Sequence, residues 1–105
     1  MLEAAIEVAI NGYAKSRGVE VYKFTSPNRS AVPDRMYLFP NGTVLFLEFK
    51  RTGERATVPQ AREHARIRGQ HIPVYVVDNI DDGKRIIDHF RDHDARLKPD
   101  TSWWL

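Results

Sequence analysis

The chain has 105 residues, 42% of them hydrophobic, no cysteine and a formal net charge of +2. That suits one compact domain, expected to span residues 1–105, and is too little for two. Without cysteine there is no disulfide framework or thiolate zinc site, no run approaches the roughly 18 apolar residues of a membrane helix, and the acidic N-terminal segment does not resemble a secretory signal, so a soluble, cytoplasmic protein is expected.

Leu2, Ile6, Ala9, Ile10 and Tyr13 recur at helical spacing and predict a helix over residues 2–16, stopped by Gly18. A short strand follows over 19–24, then a Ser-, Asn- and Pro-rich loop over 25–32. Two strands, about 34–39 and 43–50, are joined at Pro40-Asn41-Gly42. A second helix starts at Thr57, with Gln60 completing a capping box, and ends at Gly69. The apolar run Ile72 to Val77 reads as a buried strand. Ile86, Ile87 and Phe90 mark a last amphipathic helix near 81–91, ahead of a polar tail ending in Trp103-Trp104-Leu105. Both faces of the central hairpin carry apolar residues, so helices should cover both. The expected fold is an α/β sandwich of order αβββαβα.

Charge is unevenly spread along this order. Between Lys50 and Arg68 the balance is net +4, whereas six aspartates lie between Asp78 and Asp94. One side should therefore be basic and the other acidic, and arginines outnumber lysines, 11 to 5. The planar guanidinium suits phosphate.

Three pieces together suggest a metal-dependent phosphodiesterase site: Glu3 and Glu7, Pro33-Asp34, and Glu48-Phe49-Lys50. In a strand, residues two apart share a face, so Glu48 and Lys50 point one way and Phe49 the other. Asp34 joins them only in one hairpin register. A two-residue Asn-Gly turn pairs Arg35 with Glu48 and sends Asp34 to the wrong face. A three-residue loop with Gly42 left-handed pairs Phe39 with Thr43 and sets Asp34 opposite Glu48, with Cβ atoms about 5 Å apart. The bulged loop is the prediction. Two adjacent carboxylates repel, and a hard cation such as Mg²⁺ or Mn²⁺ resolves the conflict by taking oxygen ligands. Lys50 is then placed to position or deprotonate the attacking water, or to stabilise charge at phosphorus. Glu3 and Glu7, four apart on one helix face, repel in the same way, and a cation facing them would remove that conflict too; solvated glutamates near a helix N-terminus are the bland account.

With these pieces in place, from Glu3 to about Phe90, the chain resembles the VRR-nuclease family, a branch of the PD-(D/E)xK nucleases with a restriction-endonuclease-like core. The resemblance lies in the acidic first helix, the loop from Ser26 to Arg29, Val32-Pro33-Asp34-Arg35, Val44 to Lys50, Pro59-Gln60 and the Gly69-to-Val77 entry. It implies that Asp34 and Glu48 bind metal, that Lys50 is catalytic, that Glu3 supplies the helix acid and that Gln60 supports the site, although Gln60 also has its capping role. Short stand-alone members resemble phage-encoded homodimeric enzymes that cut branched DNA such as four-way junctions. Many members carry Gly before Val-Pro-Asp, where Ala31 stands here.

The expected activity is therefore a Mg²⁺- or Mn²⁺-dependent DNA endonuclease, structure-selective and homodimeric, with no small-molecule cofactor and no membrane partner. Arg29, Arg51, Arg55, Arg62 and Arg66 are expected to meet phosphates. The rival is a nucleic-acid-binding module or accessory subunit that keeps the fold without hydrolysis. His89 and His93 read as a solvated helix face rather than a metal pair, His64 as a partly exposed structural histidine, and Trp103 and Trp104 as docking on the body or on a second subunit.

Overall fold

The computed structural model describes residues 1–92; His93 and the tryptophans Trp103 and Trp104 lie outside the described residues. The elements are α1 (Glu3–Ser16), β1 (Glu20–Lys23), β2 (Arg35–Leu38), β3 (Val44–Phe49), α2 (Val58–Arg68), β4 (Val74–Val77) and α3 (Ile80–Asp92). Their order is the one the periodicities predict. The four strands form one sheet, β1-β2-β3-β4, antiparallel except for the last pair, which the α2 crossover makes parallel.

The β2–β3 hairpin has the bulged loop. Leu38 pairs with Val44 and Arg35 with Leu47, and the amide of Phe39 donates to the Thr43 carbonyl at 3.0 Å. Gly42 takes φ +88°, a left-handed value that glycine reaches without a Cβ clash. The ladder ends at Arg35; the Asp34 amide donates to the Leu47 carbonyl at 3.1 Å and its carboxylate accepts from the Phe49 amide at 2.8 Å, which brings Asp34 beside Glu48.

One face of the sheet is fully covered. Ile6, Ile10 and Ala14 of α1 and Ile87 of α3 pack with Tyr37, Leu45, Leu47, Phe49 and Val77. The two helices approach so closely that a Cβ on Gly83 would stand 2.5 Å from Ile10 Cδ1. Burial of this kind, about 25 cal/mol per Å² of apolar surface, supplies the main stabilisation of the fold.

The other face is covered by α2, and less completely. Within α2 the buried residues are Glu63 and His64, not an apolar stripe, and the helix packs mainly against β4. It is held by polar contacts: the Arg68 guanidinium donates to the Val74 carbonyl at 2.8 and 3.0 Å. Tyr22 on this face remains 48% exposed. One correction concerns β4, read from its apolar run as a buried strand. It lies at the sheet edge, and only Val74 and Val77 are buried, while Tyr75 and Val76 are exposed.

Candidate active site

Asp34 is anchored by the backbone on both sides. Its carbonyl accepts from the Phe24 amide at 3.0 Å and its own amide donates to the Leu47 carbonyl at 3.1 Å. Its carboxylate Oδ2 accepts from the Phe49 amide at 2.8 Å. The preceding Pro33 is fully buried, so the Pro-Asp step is a rigid plug between β1 and β3 rather than a surface turn. Just upstream, Ala31 adopts φ +62°. That left-handed value costs a residue with a Cβ about 1 kcal/mol or more, and it explains why glycine suits this position.

Glu48 lies beside Asp34 near the end of β3 and is only 3% exposed. Burial, followed by the charge and hydrogen bonding of Asp34, pushes its carboxyl from 4.5 up to about 8, with Glu3 adding to the rise and Lys50 opposing it. Two carboxyl groups therefore share a desolvated place with an amine and a helix glutamate in electrostatic reach. Lys50 follows the strand end, its amide donating to the Val77 carbonyl at 2.9 Å.

Gln60 makes contacts on two sides. Its Oε1 accepts from the Thr57 amide at 2.9 Å while the Thr57 hydroxyl accepts from the Gln60 amide, closing the capping box. Its Nε2 donates to Glu48 Oε2 at 3.3 Å. A single side-chain amide thus starts the helix and holds the acid.

Glu7 does not stand free beside Glu3. Its Oε1 accepts from Arg35 Nε at 2.6 Å, an ion pair across 28 positions of sequence. The repulsion inferred within α1 is relieved by an arginine on β2, and Glu3 is the helix carboxylate whose charge reaches Glu48.

His64, read as partly exposed, is 1% exposed. The correction has a physical cause: α2 faces the sheet with its polar side, one turn beyond Gln60. Its Nε2 lies 3.5 Å from Glu48 Oε1, and each of these buried atoms is without a hydrogen-bond partner among the described residues. Burial and the neighbouring Arg68 hold the imidazole below its ordinary pKa.

Three of the arginines expected to meet phosphate gather in one place. The loop residues Asn28 to Ala31 and the α2 residues Pro59, Arg62, Glu63 and Arg66 enclose a cleft of about 500 Å³. Glu63, 5% exposed, draws in Arg66 at 2.9 Å and Arg29 at 3.4 Å through one oxygen. Arg51 lies apart, paired with Glu54 and close to Leu2 and Glu3, and Arg55 is exposed on the intervening loop.

Among the described residues no three His, Asp or Glu side chains converge closely enough to form a finished metal cage. The fit is to a hard ion that keeps part of its water shell. Asp34 and Glu48 offer adjacent oxygens, and the unsatisfied Glu48 Oε1 is a buried acceptor of the kind that such an ion or its waters would engage.

No protein-family model matches the chain. Over 79 residues, 75% of its length, it is 42% identical to "Putative nuclease p44" of Acyrthosiphon pisum secondary endosymbiont phage 1, covering 85% of that protein. A solved VRR_NUC domain matches its fold with a TM-score of 0.77 at 27% identity, over 84% of this chain and 96% of that domain.

Proposed function

The chain belongs to the VRR-nuclease family, with its PD-(D/E)xK, restriction-endonuclease-like αβββαβα core, and we propose that it is a divalent-metal-dependent endonuclease hydrolysing phosphodiester bonds in DNA. The observation that carries this reading is the Asp34–Glu48 pair. Two carboxyl groups sit together at the end of a core strand, one of them pushed up to about 8 by burial and by the other. Such an arrangement opposes the ionised protein and favours a cation.

Asp34 and Glu48 would hold the ion, Mg²⁺ or Mn²⁺, with Glu3 facing it from α1 and Glu7 kept to its pairing with Arg35. When bound, a divalent cation supplies Lewis-acid polarisation of the scissile phosphate and makes water a better nucleophile. Lys50 orients the attacking water or meets the negative charge that grows on the phosphate. Gln60 fixes the Glu48 carboxylate from the first turn of α2. Arg29, Arg62 and Arg66 take up backbone phosphates on the α2 side, with Arg51 on the α1 side and Arg55 on the loop between β3 and α2, so the substrate strand passes between two basic margins.

Within this reading the substrate is branched DNA and the enzyme a homodimer. A domain this small offers little surface for a junction, and a two-fold pair supplies two sites for opposed strands. The exposed Tyr75 and Val76 on the open edge of β4 support self-association. The phage origin of the relative supports action inside a host cell. No helix among the described residues is long and apolar enough to cross a membrane.

The test is cleavage of a labelled four-way junction beside a linear duplex of matched sequence, with Mg²⁺ or Mn²⁺ and in chelator, by wild type and Asp34→Ala, with mass measured by light scattering. Junction cleavage by wild type alone, from a dimer, is the expected result. Equal cutting of both DNAs would remove the junction preference and leave the nuclease. Binding without cutting at any metal concentration would assign the chain to the non-catalytic alternative.

A further inference from the structure

We propose that His64 is a positioning residue for the active site: from the middle of α2 its imidazole fixes the Glu48 carboxylate on the side opposite Gln60, presetting the geometry in which that acid receives a divalent ion. The proposal rests on the metal-dependent reading of the Asp34–Glu48 pair.

The geometry behind it begins with the helix. Gln60 and His64 are four apart and lie on the same face of α2. Gln60 Nε2 donates to Glu48 Oε2 at 3.3 Å, and His64 Nε2 stands 3.5 Å from the other oxygen, Oε1. Glu48 is thus flanked through both oxygens by one helix face.

The placement is expensive, which argues against accident. An imidazole with 1% exposure could have been replaced by Leu or Met at similar volume, filling the same space without an unsatisfied nitrogen. Two buried polar atoms 3.5 Å apart leave no room for a water molecule directly between them. Each is therefore the other's natural partner, at the outer limit of a hydrogen bond, and a small rotation of the carboxylate on ion binding would close it. Groups that hold a ligating carboxylate in this way typically govern metal affinity by about 10- to 100-fold.

The experiment compares His64→Gln, which keeps a neutral donor at similar reach, with His64→Leu and His64→Met, which fill the space without one. Mn²⁺ binding to the otherwise metal-free protein is measured by calorimetry and by the electron paramagnetic resonance of free Mn²⁺, and melting is followed in chelator. His64→Leu and His64→Met should bind Mn²⁺ about 10- to 100-fold more weakly, while melting in chelator at least as high as wild type. His64→Gln should restore most of the affinity. Wild-type Mn²⁺ affinity in a folded apolar variant would overturn the proposal, as would a loss of affinity in all three that tracks a fall in melting temperature. The readout is independent of cleavage. A wild type that binds Mn²⁺ through Glu48 but does not cut DNA would defeat the nuclease reading and leave the role of His64 standing; a wild type that binds no Mn²⁺ would defeat both.

Discussion

Glu48→Gln should stabilise the metal-free protein at alkaline pH and leave it nearly unchanged in mild acid. In the folded chain the Glu48 carboxyl titrates near 8 instead of 4.5, because it is buried and faces Asp34. Between those two values the folded state keeps a proton that the unfolded state has released. Unfolding then releases a proton, so stability falls as pH rises, by up to about 1.4 kcal/mol for each pH unit. Below about pH 4.5 the contribution of the protonated group is fully present; above about pH 8 it is gone. Glu48 is 3% exposed, so solvent screens little of the effect, and the span between 4.5 and about 8 corresponds to roughly 3–5 kcal/mol. Urea denaturation followed by circular dichroism, in chelator from pH 5 to pH 9, reads the difference directly, since the other titrating groups are common to both proteins. The curves should lie within about 1 kcal/mol at pH 5 and diverge by roughly 3–5 kcal/mol at pH 9, the variant being the more stable. Mn²⁺ at 100 times its dissociation constant should return about 2.7 kcal/mol to wild type and little to the variant. Parallel curves across the whole range would refute the buried, raised Glu48 carboxyl.

Three further outcomes follow from the surroundings of the site. Arg62→Ala should reduce the slope of log affinity against log salt for DNA binding in chelator by about 0.7–0.9; an unchanged slope would remove this arginine from the phosphate path. Ala31→Gly should be neutral or stabilising by up to about 1 kcal/mol in chemical denaturation, because φ +62° suits glycine, and a loss of about 1 kcal/mol would contradict the left-handed backbone there. Thr57→Ala should destabilise the fold by about 1 kcal/mol. Because its capping partner Gln60 also holds Glu48, the same change should weaken Mn²⁺ binding; intact affinity would show that the cap and the acid are independent.

Much of this arrangement is legible in the sequence because it is written at short range. Alternation along Val44 to Lys50 assigns faces, and Asn41-Gly42 marks a tight turn with two possible registers, of which the bulged one, chosen because it joins Asp34 to Glu48, is the one the hairpin adopts. Thr57 and Gln60 announce the start of α2 through chemistry three residues apart. What escapes such reading is decided at long range. The Glu7–Arg35 pair spans 28 positions, and Arg29 meets Glu63 across 34; neither spacing carries a signal. The run Val74 to Val77 matches a buried strand in composition, yet its place at the sheet edge follows from topology, which leaves Tyr75 and Val76 exposed. His64 is the sharpest case. A histidine among charged residues on a helix without apolar periodicity reads as surface, and only the docked helix reveals that its polar side is the buried one.

That inversion ties the stability of α2 to the site. Apolar burial docks α1 and α3, and it would hold them whatever the charge of the acids. α2 is docked by Gln60 on Glu48, by His64 beside the same carboxyl, by Glu63 with Arg29 and by Arg68 on the Val74 carbonyl. Two of these four contacts are made to the group whose ionisation burial opposes. Ionisation strengthens Glu48 as an acceptor for the Gln60 amide but leaves a charge that burial opposes, so the charge of this acid acts on the seating of the helix. The helix that carries Arg62 and Arg66 is thereby seated on the candidate acids, so that under the proposed function occupancy of the site and presentation of the basic cleft would share one free-energy balance.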